Sequence, residues 1–113
     1  MNELQALTVL EKSYAINLWT VRHSLRMVRG LRYTLGVRMQ DSAMGLCLAL
    51  TQARHAKRVD RPLARADTHL DELRLLVRMA TDLGAMSERQ HGYVSEHLAD
   101  VGRQLGGWRR QLA

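Results

Sequence analysis

Phenylalanine is absent from this chain, cysteine and proline occur once each, and no apolar run approaches the ~18 residues that a membrane-spanning helix needs. Each absence excludes something. Cys47 has no partner for an internal disulfide, so the fold requires no oxidising compartment, and a lone thiol of this kind reads as a small buried side chain. A single proline and few β-branched residues argue against a sheet-rich fold. The opening stretch MNELQALTVLEKSY carries Glu3 and Glu11 and lacks the basic-then-apolar layout of a secretion signal, so a cytoplasmic protein with no membrane association is expected. What is abundant is Ala, Leu, Arg, Gln and Met, all strong helix formers. With 113 residues, 46% of them hydrophobic, the chain is long enough for one packed domain, residues 1–113, and too short for two.

Four helical segments can be read from the spacing of apolar residues. In the first, about Leu4 to Val28, the residues Leu7, Tyr14, Val21 and Val28 recur every seven positions with Leu18 and Leu25 between them. Gly30 follows as a natural stop. The second, about Tyr33 to Val59, keeps Leu35, Met39, Ala43, Leu46, Leu50 and Ala53 on one face. Asp60 is the expected N-cap of the third, about Arg61 to Leu83, and Pro62 in its first turn sacrifices no helical hydrogen bond. The third stripe is Leu63, Ala66, Leu70, Leu73, Val77, Ala80 and Leu83, ended by Gly84. Ser87 and Gln90 then form a capping box ahead of the fourth helix, whose stripe is Val94, Leu98, Val101, Leu105, Trp108 and Leu112. Short connections make neighbours antiparallel, so the predicted fold is all-α, an up-down four-helix bundle. Val9, Ile16, Trp19, Met27, Val37, Met44 and Leu48 fall off these stripes. They mark either a wide core face or a second buried face used in self-association.

Charge is distributed unevenly. The net charge is +6, and 15 of the 17 basic residues are arginine, which suits planar contact with phosphate or carboxylate. Between Arg22 and Arg65 ten basic residues (Arg22, Arg26, Arg29, Arg32, Arg38, Arg54, Lys57, Arg58, Arg61 and Arg65) face two acids, a net of +8. Ala66–Asp100 carries three basic and seven acidic residues, a net of −4. An antiparallel hairpin gathers Arg26, Arg29, Arg32 and Arg38 at one end and Arg54 to Arg65 at the other. Two readings stand: a solvated arginine face, or a phosphate-binding surface that would contact the backbone with little base readout, because no base-reading motif accompanies it.

Catalytic and cofactor chemistry finds little footing. Glu88 and His91 match the E-x-x-H spacing of di-iron bundles, but the predicted core stripes carry no further carboxylate, so no metal site is expected. His23, His55, His69 and His97 lack acid or cysteine partners at ligand spacing and read as surface or edge residues. No phosphate-cradling glycine loop occurs, so no nucleotide cofactor is expected. Gly102, Gly106 and Gly107 interrupt the last helix beside Trp108. They allow a close helix approach, either within one subunit or at a subunit or partner contact.

These residues also carry a likeness. The strings Leu73-Arg74-Leu75-Leu76-Val77-Arg78, Asp82-Leu83, Ser87 with Gln90, and above all Val101-Gly102-Arg103-Gln104-Leu105-Gly106-Gly107-Trp108 resemble the accessory variability determinant (Avd) proteins of diversity-generating retroelements. Arg32-Tyr33-Thr34-Leu35-Gly36 resembles the same family. The resemblance implies a homopentameric barrel of four-helix bundles that catalyses nothing. It implies a basic surface and partnership with a retroelement reverse transcriptase and its template RNA in support of cDNA synthesis during mutagenic retrohoming; the charge itself would take RNA and DNA alike. The four-helix-bundle proteins of ribosomal RNA intervening sequences are similar and offer an alternative, as does a protein-only scaffold docking an acidic partner.

Overall fold

A computed structural model describes residues 1–112, and all of its regular structure is helical. Helix α1 is Glu3–Ser24. Helix α2 starts as Arg29–Leu31, passes through a π-helical stretch at Arg32–Gly36 and continues as Val37–Ala53. Helices α3 and α4 are Asp60–Asp82 and Glu88–Gln111. Packing runs α1 on α2, α2 on α3, α3 on α4 and α4 back on α1, with the α1–α4 seam the thinnest. This is the up-down-up-down bundle, 42 × 23 × 20 Å along its principal axes.

The second to fourth stripes are the core. Met39, Ala43, Leu46, Leu50, Leu63, Ala66, Leu70, Leu73, Val77, Ala80, Val94, Leu98, Val101 and Leu105 are almost fully buried, and Trp108 closes the row. Leu83 and Leu112, the last members of their stripes, are exposed because each helix has already ended or is ending there. Gly84 takes a left-handed φ of 78°, and the chain reverses as Ala85 and Met86 donate to the Ala80 carbonyl. Ser87 and Gln90 cap α4 reciprocally, at 3.0 and 3.1 Å. The same device, unforeseen, opens α1 through Asn2 and Gln5.

Helix α1 overturns its predicted stripe. Leu7, Tyr14, Leu25 and Val28 are exposed, while Val9, Ile16 and Met27, which fell off the stripe, are buried. The inward face is largely small and polar: Ala6, Ser13, Asn17, Thr20, His23 and Ser24 join Val9 and Ile16. Ser13 and Ser24 satisfy their hydroxyls on the carbonyls of Leu10 and Val21, and Gln40 donates to Ser24 Oγ at 2.6 Å across the α1–α2 contact. Gly36 lies under that contact, where an added Cβ would stand 3.3 Å from Ser24 Cβ.

Four boundaries also move, the largest at the end of α2, which stops at Ala53, six residues before Val59. Helix α1 stops at Ser24, four residues before Val28. Gly30 does not end a helix; it lies in the first turn of α2. Asp60 is the first residue of α3 rather than its N-cap, and its carboxylate pairs with Arg58 instead of capping backbone N–H groups. At the end shared by the α1–α2 and α3–α4 connections, Met27 and Met86 plug the core.

Candidate nucleic-acid interface

The antiparallel order places the arginines at two ends. One end holds the α1 C-terminus, the α2 N-terminus and the α3–α4 turn, joined where His23 Nε2 meets the Ala85 carbonyl at 2.9 Å. The other end holds both chain termini and the α2–α3 turn, joined where the Met1 amine meets Gln111 and where Arg54 meets Glu3.

At the first end Arg22, Arg26 and Arg29 are exposed and have no carboxylate partner among the described residues. Arg32 differs: it is half-buried, its Nη1 donates to the Leu25 carbonyl at 3.3 Å, and its guanidinium lies 5.3 Å from the centre of the Tyr33 ring. It braces the α1–α2 connection. Arg38 is set apart, further along α2, in a shallow cleft with Asp41 and Glu72. The five are thus not one patch; Arg22, Arg26 and Arg29 form a free cluster, with Arg32 structural beside it.

At the second end several cations are already engaged. Arg54 donates to Glu3 at 2.6 Å, and that hydrogen bond, reinforced by the guanidinium charge, holds the Glu3 carboxyl below its ordinary pKa. Arg58 lies 3.3 Å from Asp60 and lowers that carboxyl in the same way. Arg65 donates to Gln52. Lys57 and Arg61 are exposed without an acidic partner among the described residues. Sequence reasoning missed Arg109 and Arg110, which the α4 C-terminus brings to this end. Arg109 pairs with Asp67 at 3.0 Å, and Arg110 is exposed. The signal was the bundle topology itself, which places residues near 110 beside those near 60.

The packing candidates separate. Trp108 is buried in the core of its own bundle. An added Cβ at Gly102 would meet Arg74 at 2.4 Å and Leu70 at 3.4 Å, so this glycine receives α3 of the same chain. Gly106 and Gly107 are half-buried and meet nothing but the Arg110 side chain, so neither admits another helix of this chain.

His23 is not a surface histidine: it is buried, stacks on Trp19 at 5.2 Å, and must carry its proton on Nε2, since a carbonyl can only accept. His69 is half-buried against Gly45, whereas His55 and His97 are exposed. Glu88 and His91 line an open α3–α4 cleft of about 470 Å³ together with Arg74 and Arg78, two cations that would repel a metal ion. Among the described residues no cluster of three or more His, Cys, Asp or Glu is placed to hold a metal, and no helix is long and apolar enough to cross a membrane.

With this geometry in place, comparison with known families decides the kinship. The family described as bAvd-like matches residues 9–112, from the second turn of α1 to the end of α4. The chain belongs to the bAvd-like family. This agrees with the resemblance to Avd proteins read from the sequence. No curated protein matches the chain at significant similarity. In this bAvd-like chain the match takes in all four helices, so both arginine-rich ends and the Gly102–Trp108 segment lie inside the family's domain.

Proposed function

We propose that this bAvd-like chain is a non-catalytic accessory subunit of a diversity-generating retroelement, acting in the cytoplasm, which binds RNA and DNA through their phosphate backbones and serves the element's reverse transcriptase during mutagenic retrohoming. Family membership supports the reverse-transcriptase partnership. The observation that carries the nucleic-acid reading is the free cluster Arg22, Arg26 and Arg29, three exposed guanidiniums at one end of the bundle without an acidic partner among the described residues. Unpaired cations of this kind exchange condensed counterions for contact with phosphates. Lys57, Arg61 and Arg110 supply a second, more neutralised surface at the opposite end.

The working form is a homo-oligomer, and a pentamer is expected. Exposed Leu4, Leu7 and Tyr14 on α1, Leu25 just past its end, Met44 and Leu48 on α2, and Leu75 and Met79 on α3 support assembly. Light scattering at micromolar concentration should return the mass of five 12.9 kDa chains. A persistent monomer would remove the assembly from the mechanism.

The nucleic-acid reading is tested by fluorescence anisotropy across a salt series. On a single strand each neutralised phosphate contributes about −0.7 to the slope of log affinity against log salt. Arg22→Glu, Arg26→Glu and Arg29→Glu together should remove about three contacts per chain, a slope change of about 2. Raising salt from about 50 to about 200 mM should then cost the wild type about 20-fold more affinity than the variant. Arg32 is left intact, because replacing it would disturb the connection it braces. Salt-independent binding, or wild-type affinity in the triple variant, would dismiss the cationic cluster and promote a protein-only scaffold.

A further inference from the structure

We infer that Tyr33 is a stacking platform for an unpaired nucleobase, so that the cationic α1–α2 end takes single-stranded nucleic acid in preference to a duplex; this rests on the nucleic-acid reading above. Tyr33 is 65% exposed, so its side chain contributes little to the fold. Its surroundings suit a base. The Arg32 guanidinium sits 5.3 Å from the ring centre and is anchored on the Leu25 carbonyl, which orders one side of the ring and leaves the rest open. It is the one cation–π pair among the described residues. Four residues before Tyr33 lies Arg29, exposed and without a carboxylate partner among the described residues, and four residues after it lies Val37, an exposed apolar side chain. A base laid on the ring would meet Val37 at its edge, with Arg29 and the Arg26 connection placed for the flanking phosphates.

The backbone carries the second observation. Tyr33 stands in the π-helical stretch Arg32–Gly36, which shifts the helical frame of everything N-terminal to it relative to Val37–Ala53. Such stretches are far rarer than α-helix, and they are frequent at functional sites. Here Leu35 and Gly36 are drawn under α1 while Tyr33 and Thr34 are left outside. The other exposed tyrosines lack this setting. Tyr93 is occupied by Trp19 and His97, at 5.9 and 4.5 Å. Tyr14 lies mid-way along α1, with Glu11 one turn before it. Stacking accepts any base, so the site would be tolerant of sequence.

Stacking and charge contact leave different signatures, because a base on a ring releases no counterion. Short single-stranded RNA carrying one 2-aminopurine, and the same strand annealed to its complement, are titrated against the full-length protein at several salt concentrations. Tyr33→Ala should bind the single strand about 5- to 150-fold more weakly at every salt, with an unchanged slope. It should also lose the 2-aminopurine quenching. Tyr33→Phe should restore both, Tyr14→Ala should resemble wild type, and duplex affinity should be insensitive to Tyr33. Wild-type affinity in Tyr33→Ala, beside a weakened Arg22/Arg26/Arg29 variant, overturns the stacking site and leaves the cationic reading standing. A changed slope in Tyr33→Ala, or an equal loss on duplex, overturns it as well, since the ring would then only position Arg32. Wild type failing to bind either nucleic acid at low salt removes both readings together.

Discussion

Replacing two glycines by alanine, one at a time, should move stability in opposite directions. Gly102 and Gly45 both lie inside helices, where alanine is favoured by about 0.5–1 kcal/mol. What the new methyl meets decides the sign. At Gly102 the nearest atom is Arg74 Nη2, at 2.4 Å, followed by Leu70 Cδ2 at an ordinary 3.4 Å. Arg74 is half-exposed, and among the described residues its only ion pair is with Asp71, three residues away at 3.2 Å. Swinging that guanidinium aside forfeits about 0.2–0.5 kcal/mol. Gly102→Ala should therefore be neutral to stabilising by about 0.5 kcal/mol. At Gly45 three atoms of the His69 ring lie 2.7–2.8 Å from the new methyl, and the ring's Nδ1 is buried. The whole plate must leave its seat, at a cost of about 1–3 kcal/mol, so Gly45→Ala should destabilise by about 1–2 kcal/mol net. For a chain of this size about 1 kcal/mol corresponds to roughly 4 °C in Tm. Gly92→Ala, where nothing lies within 4 Å, gives the propensity term alone. Thermal melts by circular dichroism, with the assembly mass measured in parallel, decide the matter. A lowered Tm or a smaller assembly in Gly102→Ala would mean that this glycine admits another backbone. A raised Tm in Gly45→Ala would mean that the His69 ring is not seated there.

Two further outcomes are expected. Trp108→Ala should cost about 3–5 kcal/mol, because the indole is buried among the α4 core residues; an unchanged melting curve would remove it from the core. Lys12 donates to Asp100 at 2.7 Å across the α1–α4 seam, and this hydrogen bond, aided by Gln104, holds the Asp100 carboxyl below its ordinary pKa. A depressed carboxylate contributes fully above its unfolded pKa, and the contribution disappears as pH falls through the lower folded value. Stability should hold from neutral pH down to the ordinary Asp range and fall below it, and Asp100→Asn should shallow that fall. An acid limb identical in the variant would take Asp100 out of the account.

How far the fold was legible depended on which face of each helix was apolar. In α3 and α4 the inward face is aliphatic and the outward face charged, so the buried residues could be read directly. The inner face of α1 is lined by Ser13, Asn17, Thr20 and Ser24, while Leu7, Tyr14 and Leu25 point out. Periodicity then selects the wrong side, because it cannot distinguish a face buried in the monomer from an apolar face left outside it. The arginine ends followed from charge and topology, but which guanidiniums are free did not. The ties of Arg54 to Glu3 and of Arg32 to Leu25 depend on contacts between elements far apart in sequence or across a turn. The π-helical stretch had no sequence signal beyond an arginine–tyrosine pair in a motif-like string.

The polar lining of α1 makes the bundle unevenly cohesive. Asn17 Oδ1 and Thr20 Oγ1 are buried without a hydrogen-bond partner, a burden of about 1–3 kcal/mol each, whereas the α2–α3 contact carries one such atom, His69 Nδ1, beside a long aliphatic row. Helix α1 should accordingly separate first, and hydrogen exchange should then show its amides opening through a partial unfolding while those of the α2–α3 hairpin wait for global unfolding. The free arginine cluster straddles that hinge, with Arg22 on α1 and Arg29 on α2. A polyanion spanning both would bind the closed bundle alone, and so would slow the exchange of a helix most of whose length it never touches.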